Sequence, residues 1–472
     1  VLDGHGAQAV GLVRVLGRLG WEVTSEAETR ASRSRWSTSA VELPSPHDDP
    51  GGFAAALRDA CDQRGFDLVV PSGDLTLACC WEAAWPDSTI ADAHVLAGDR
   101  RSAEVFLDKH AGVAAARGHG FGVPETIAGD DAAAVVAAAA DLGFPCVIKP
   151  RRTFQPVGGT MRQLRHVVVD SRAQAEGAVA TLTGDEGLLP LAQPFVPGPS
   201  LGVTAVLRRG RVVAFSARET LSFFPLGGGT SVWKRTVPPT TPGVGEALDL
   251  MRDFGVEGIA EVEYKLAPEG PRFMELGPRI HGWVPLAEVS RPGFVAAAVE
   301  TALGRDVDPL PTYRWDVEMR WLGGDVHRLR AIAGRHRSLP LAMSRRTVVR
   351  TLWPPWRPGM RYDGVDLSDP GPWMPRPVGR ALRLGAQALG HARRGERRSA
   401  DEAAQRPEGP LGRVADEQDA PVRGPEAPIQ NGPAGADRDF RPQHGFEEVE
   451  AVEGEAVAGA EKKSVRAHRG PV

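Results

Sequence analysis

Gly258-Ile259-Ala260-Glu261-Val262-Glu263-Tyr264-Lys265, followed by Arg272-Phe273-Met274-Glu275-Leu276-Gly277-Pro278-Arg279, is the stretch on which the reading of this chain turns. Both segments alternate with period two, so Glu261, Glu263 and Lys265 share one face of a strand. Ala267-Pro268-Glu269-Gly270-Pro271 between them reads as a turn, and the hairpin it closes brings Glu263 close to Glu275. Carboxylates held side by side repel unless protons or cations neutralise them. Magnesium meets that need and favours carboxylates shared with phosphate oxygens. On the hairpin alone, a solvated strand face rich in Glu and Lys would read the same.

Features upstream narrow the choice. Leu142-Gly143-Phe144-Pro145-Cys146-Val147-Ile148-Lys149-Pro150 is a turn, then a short apolar strand ending in a lysine, and Pro150 stops further pairing. An ammonium at the end of a buried strand has to face something anionic. The next residues, Arg151-Arg152-Thr153-Phe154-Gln155-Pro156-Val157-Gly158-Gly159-Thr160, form a basic loop whose backbone N–H groups could close over phosphate oxygens. The connector Leu188-Leu189-Pro190-Leu191-Ala192-Gln193-Pro194-Phe195-Val196-Pro197-Gly198 is stiffened by prolines. Its backbone suits the edge of an adenine, as it would suit a plain linker between two lobes.

In order and approximate spacing, Lys109, Lys149, the connector from Gln193 to Gly198, Glu263, and Glu275 to Arg279 resemble the ATP-grasp superfamily. Within it they are most similar to the carbamoyl-phosphate-synthetase-like, carboxylate–amine ligase branch. The resemblance covers about residues 1–310 and extends towards 378. It implies an α/β and α+β chain: an N-terminal open α/β (pre-ATP-grasp) layer at 1–105 and a two-lobed ATP-grasp domain at 106–310, with lobes of about 106–190 and 191–310. A small C-terminal extension at 311–378 and a disordered tail at 379–472 would follow.

The resemblance also implies roles. Asp108-Lys109 would supply the first phosphate-contacting lysine and Lys149 the second, with Gly159 in the loop over the phosphates. Gln193, Phe195 and Val196 would form the adenine hinge, Glu263 and Glu275 would hold magnesium, and Arg279 would steady the transferring phosphoryl group. Arg218 is expected at a strand end, ahead of the Gly227-Gly228-Gly229-Thr230-Ser231 turn, contacting the nucleotide or acyl group. The family motif Glu-x-Asn-Pro-Arg has Gly277 in place of its asparagine. That leaves a second magnesium short of an oxygen unless water or an inward-facing Glu261 supplies one.

The implied activity is ATP-dependent ligation of a small-molecule carboxylate to an amine or ammonia through an acyl phosphate, in a protein compatible with a homodimer. Two alternatives stand beside it. One is a non-catalytic ATP sensor or scaffold. The other is a biotin-carboxylase-like enzyme that phosphorylates bicarbonate, which would need a separate carrier because the chain has no Met-Lys attachment segment.

Length and charge agree with this class. A chain of 472 residues is long enough for about three domains. A net charge of −4 gives no general affinity for nucleic acid or anionic membranes. Cys61, Cys79, Cys80 and Cys146 lack zinc-type or secretory spacing and read as buried thiols of a reducing cytoplasm. Arg14 and Arg18 interrupt the early apolar run, so no signal peptide is read there, and no run reaches membrane-spanning length.

The first layer alternates strand, Gly4-His5-Gly6 turn and helix, then a strand at Trp21 to Thr24, a helix at Phe53 to Arg64, and a strand leading to Ser72-Gly73-Asp74. Val1 to Asp3 reads as the end of a first strand whose beginning is missing. No dinucleotide fingerprint is completed. Ser72 and Asp74 are expected at the crevice that receives the acceptor. Ser32-Arg33-Ser34-Arg35 and His5 face it too, unless His5 is an exposed turn residue. His281 either reaches the acceptor or caps its loop. Asp99 to Ala140 reads as helical with a break at Phe121 to Pro124. Residues 401–472 carry only Phe440 and Phe446 as aromatics, too few to offset ordering entropy.

Overall fold

Alternation over the two acidic segments produces the expected hairpin. In the computed structural model, which describes residues 1–225, 229–334, 359–363 and 365–374, strand Gly258–Ala267 turns into Gly270–Gly277 with Glu263 directly opposite Glu275. The hairpin forms one edge of a seven-stranded sheet. Its order runs Gly270–Gly277, Gly258–Ala267, Ser200–Arg208, Arg211–Phe224, Thr230–Thr236, Glu318–Arg320 and Arg361–Tyr362. All pairings are antiparallel except the last. Leu201 to Leu207 is buried without a break because both faces of that strand are covered. Helix Val244–Phe254 packs on one face through Leu250, Met251 and Phe254, and helix Phe294–Ala302 joins a second core with Val206 and Ile259.

A smaller sheet of order Ile127–Ala128, Leu191–Pro194, Cys146–Lys149 and Val167–Val169 builds the second lobe. Helices Ala132–Leu142 and Arg172–Leu182 cover it, centred on Val135, Ile148, Val169 and Val179. Side-chain oxygens of Asp131 and Ser171 cap these helices, worth about 1 kcal/mol each. The Asp99 to Ala140 region is three helices, Arg100–Phe106, Lys109–Gly118 and Ala132–Leu142, with strand Ile127–Ala128 following the break.

In the N-terminal layer, helix Ala7–Arg18 buries Val10, Leu12, Val13 and Leu16. Helices Pro50–Arg64 and Asp74–Ala83 share a core with all three of Cys61, Cys79 and Cys80. Two expectations shift. Val1 to Asp3 carries no strand, although the Leu2 N–H donates to the Val70 carbonyl at 3.0 Å. The next strand is Val23–Glu26 rather than 21–24, paired in parallel with Ser37–Val41. The layer meets the acidic hairpin where the Gly98 N–H donates to the Pro278 carbonyl at 2.8 Å and Asp99 N–H to Glu257 at 3.0 Å.

Ser32 to Arg35 does not face an open crevice. Asp369, 1% exposed, accepts from Arg14 Nε (2.8 Å), Ser34 Oγ (2.7 Å) and the Arg35 N–H (2.9 Å), and Arg33 donates to the Met374 carbonyl at 2.7 Å. The C-terminal segment thus occupies the place expected for substrate, because its buried carboxylate needs these donors. Trp315, Trp321 and Trp373 of the extension lie within the described residues, whereas Trp353, Trp356, Gly227, Gly228 and the tail at 379–472 lie outside them. No helix among the described residues is long and apolar enough to cross a membrane.

Candidate active site

Lys109 is placed by a cap. Asp108 accepts from the His110 and Ala111 N–H groups, starting helix Lys109–Gly118, and Arg151 Nε pairs with the same carboxylate at 2.8 Å. This sends the Lys109 ammonium to Thr153 Oγ1 at 2.8 Å and within 4.0 Å of Glu275. Lys149 ends the buried strand Cys146–Lys149, with Met274 Sδ at 3.8 Å from its Nζ. Burial pushes its pKa down to about 8, with Glu275 pulling up and Lys109 pulling down. The hairpin's two glutamates and the two lysines therefore face one cleft.

Arg279 lies just past the strand, where its Nε donates to Asp74 of the N-terminal layer. Burial works against the Arg279 charge, yet Asp74, Glu275 and Glu261 raise its pKa. For Asp74 the balance also favours charge. Burial alone would raise its pKa, but Arg279, Lys109 and Thr153 together lower it.

Arg218 departs from expectation. It lies inside the long strand Arg211–Phe224, not at a strand end, and is 2% exposed. Its Nη2 donates to Glu261 at 2.9 Å and to Glu263, and Nη1 donates to Thr220. The guanidinium therefore lies beneath the carboxylates instead of reaching into the cleft. A Cβ at Gly202 would stand 2.6 Å from Glu261 Oε1 and 3.2 Å from the Arg218 guanidinium carbon, so only glycine leaves room for this pair. Glu261 is likewise unavailable as a substitute metal ligand. Its oxygens accept from Arg218 and Trp283 Nε1, and His281 Nδ1 stands 3.2 Å from Oε2. Burial holds the His281 pKa well below its ordinary value, and among the described residues Nε2 is buried without a partner. His281 braces Glu261.

The loop at 151–160 is instead the start of a hairpin, Phe154–Val157 paired with Thr160–Gln163. Gly158 and Gly159 adopt φ of 63° and 76° at its turn. Their N–H groups bind the two oxygens of Asp185 at 3.1 and 3.0 Å, a concave pair of donors of the kind that holds anions. Hydrogen bonds from Gly159 and Gly158 lower the Asp185 pKa. The second strand of the hairpin binds the N-terminal layer: Met161 N–H donates to the His47 carbonyl at 2.7 Å, and His47 Nδ1–H donates back at 2.8 Å.

The connector forms strand Leu191–Pro194, antiparallel to Cys146–Lys149. Gln193 is buried and donates to Thr126 Oγ1 at 2.8 Å, while Phe195 and Val196 follow, half-buried. Thr153 and His166 belong to the cleft and carried no signal in the sequence. His166 is solvent-accessible, yet the enclosing cleft walls, then Lys149, push its pKa down to about 4.

Magnesium is tested by the donors themselves. Burial and then the neighbouring Glu275 raise the Glu263 pKa, against Arg218. Both carboxylates are partly exposed, 34% and 46%. Among the described residues no three His, Cys, Asp or Glu side chains converge on a metal, so an all-protein cage does not fit. A two-carboxylate site completed by phosphate oxygens and water does. Gly277→Asn should be accommodated, since the atoms nearest an added Cβ are His281 Cε1 and Nδ1 at 3.7 Å. The added oxygen, worth about 1 kcal/mol, is expected to tighten magnesium-dependent nucleotide binding roughly fivefold by calorimetry.

No family model matches the sequence and no curated protein matches it. Among solved structures, the biotin carboxylase–β,γ-ATP complex from Campylobacter jejuni is similar over 67% of this chain and 73% of its own, with a TM-score of 0.53 at 13% identity. The biotin carboxylase domain of 2-oxoglutarate carboxylase from Hydrogenobacter thermophilus, a dimer with MgADP, ADP and bicarbonate, matches over 67% and 72% with a TM-score of 0.53 at 13% identity. L-amino acid ligase from Bacillus licheniformis matches over 65% and 74% with a TM-score of 0.50 at 18% identity. At these identities the likeness is one of fold.

Proposed function

We propose that this chain, which has the ATP-grasp fold, is an ATP-dependent ligase that activates a small-molecule carboxylate as an acyl phosphate and joins it to an amine or ammonia. What supports the reading is the convergence of Lys109, Lys149, Glu263, Glu275 and Arg279 on one cleft from three separate stretches of chain. The proposal places the protein in the cytoplasm, as a monomer or homodimer, with no nucleic acid or membrane partner.

A carboxylate is a poor electrophile because its leaving group would be oxide. In this reading Lys109 and Lys149 offer two ammonium charges to the phosphate chain, and Gln193, Phe195 and Val196 lie where the base would rest. Glu263 and Glu275 would hold magnesium, which would supply positive charge against the phosphate oxygens. Arg279 holds the γ-phosphoryl group while a substrate carboxylate oxygen attacks phosphorus and the bond to the β–γ bridging oxygen breaks. The amine nitrogen then attacks the acyl carbon, the carbon–oxygen bond to phosphate breaks, and the nitrogen gives up a proton. The 154–163 hairpin, with Gly159 at its turn, screens the acyl phosphate from water.

Phosphate release on mixing the protein with ATP, magnesium and panels of acid–amine pairs tests the proposal. Release that needs one particular pair supports it. Dependence on bicarbonate would move the reading to a carboxylase, and MgADP binding without phosphate release under any pair would move it to a sensor. Glu275→Gln is expected to lower magnesium-dependent turnover about a hundredfold, or ~2.7 kcal/mol. The thermal midpoint should hardly move, because this carboxylate is 46% exposed.

A further inference from the structure

Asp74 opens a helix of the N-terminal layer, yet its carboxylate serves the other two bodies. It accepts from Arg279 Nε of the large lobe. Lys109, whose Nζ donates to Thr153 Oγ1 at 2.8 Å, is near enough for its charge to help lower the Asp74 pKa. One carboxylate therefore holds an arginine on one side of the cleft and feels the charge of a lysine on the other.

The hydrogen bonds of Arg279 show what this does. Nε is taken by Asp74 and Nη1 donates to the Ile280 carbonyl at 3.2 Å. Nη2 has no hydrogen bond among the described residues. A guanidinium is a rigid planar fork, so fixing one edge directs the other. Arg279 stands on a loop beyond the end of strand Gly270–Gly277, where an unheld side chain would spread over several rotamers and bind an anion only after losing that freedom.

We propose that Asp74 is a positioning residue that aims Arg279 at the transferring phosphoryl group, so that phosphoryl transfer depends on the seating of the N-terminal layer. The proposal rests on the ligase reading above. It differs from a merely structural ion pair in a definite way. Asp74→Asn keeps the volume and an acceptor oxygen but removes the charge that fixes the fork. Ground-state nucleotide binding, handled by the two lysines and two glutamates, should survive, whereas recognition of the phosphoryl group in flight should not.

The experiment measures, on the full chain, the affinity for MgADP alone and for MgADP with aluminium fluoride, which mimics the planar phosphoryl group. In Asp74→Asn, MgADP affinity should stay within about twofold, while the extra tightening by aluminium fluoride falls at least about tenfold, ~1.4 kcal/mol. Asp74→Glu should regain most of it. Arg279→Ala should lose as much, and the double variant no more, as coupled residues require. Full tightening in Asp74→Asn, additive losses, or no tightening in the unsubstituted chain would each overturn the assignment of Asp74 while leaving MgADP binding intact. Absence of MgADP binding in the unsubstituted chain would overturn the ligase reading, and this inference with it.

Discussion

Lys149→Ala should weaken nucleotide binding by about a hundredfold or more. Removing the charged partner of a buried ion contact costs roughly 3 kcal/mol, equivalent to about two decades in affinity. The ammonium stands at the end of a strand whose Cys146, Val147 and Ile148 are all buried, with a thioether as its nearest polarisable neighbour. Among the described residues no carboxylate lies in salt-bridge contact with it, so the fold gains little from the charge and the thermal midpoint should barely fall. Titration calorimetry with MgADP decides the matter, and unchanged affinity would remove Lys149 from the phosphate site. The effect also has a pH signature. Burial brings the free protein's Lys149 to about 8, so the charge is present below that pH and lost above it. A bound phosphate holds the proton more firmly. Affinity should therefore decline as pH rises past about 8, by up to roughly tenfold per pH unit, and Lys149→Ala should lack that decline.

Arg218→Ala is expected to lower stability by about 3–5 kcal/mol, the usual cost of removing one partner from a buried ion pair. Arg218 is 2% exposed and bonds Glu261 and Glu263, with Trp283 Nε1 and His281 Nδ1 sharing Glu261. Without the guanidinium, Glu261 would be left buried beside Glu263 with no cation, and burial already raises its pKa. Thermal unfolding should show a loss of about five degrees. Adding Glu261→Gln should recover part of it, because the amide does not need a countercharge. A midpoint within two degrees or so of the unsubstituted chain would mean that the pair is solvated.

What the sequence made legible was local. The hairpin itself is legible from the two segments and the turn, but the facing of Glu263 and Glu275 is not: a regular count from Ala267 opposite Gly270 would set Met274 against Glu263, and a bulge at Met274 brings Glu275 there instead. Lys149 was legible because a short apolar run ended in a charge and a proline. The stretch 151–160 reads as a basic, glycine-containing loop, whereas Phe154–Val157 pairs with Thr160–Gln163. The pairing is a two-stranded arm in which Pro156 has no further partner strand to serve. Arg218 reads as a strand end because the following glycines mark a turn, yet the strand runs on to Phe224 before that turn begins. Asp74 with Arg279, and Ser34 with Asp369, join residues hundreds of positions apart. No periodicity carries such a partnership, and it becomes visible only when the layers stack.

The seam between Met161 and His47 has a consequence for traffic. Two hydrogen bonds, together with Phe154 and Met161 resting on the first layer's core, amount to a few kcal/mol. A fastening of that size is a threshold and not a lock, small enough to be broken without unfolding either layer. If the proposed ligase reading holds, a ligand passing beneath the arm would cross the same threshold in both directions, so its entry and departure, and not bond-making, are the steps whose pace this joint would govern.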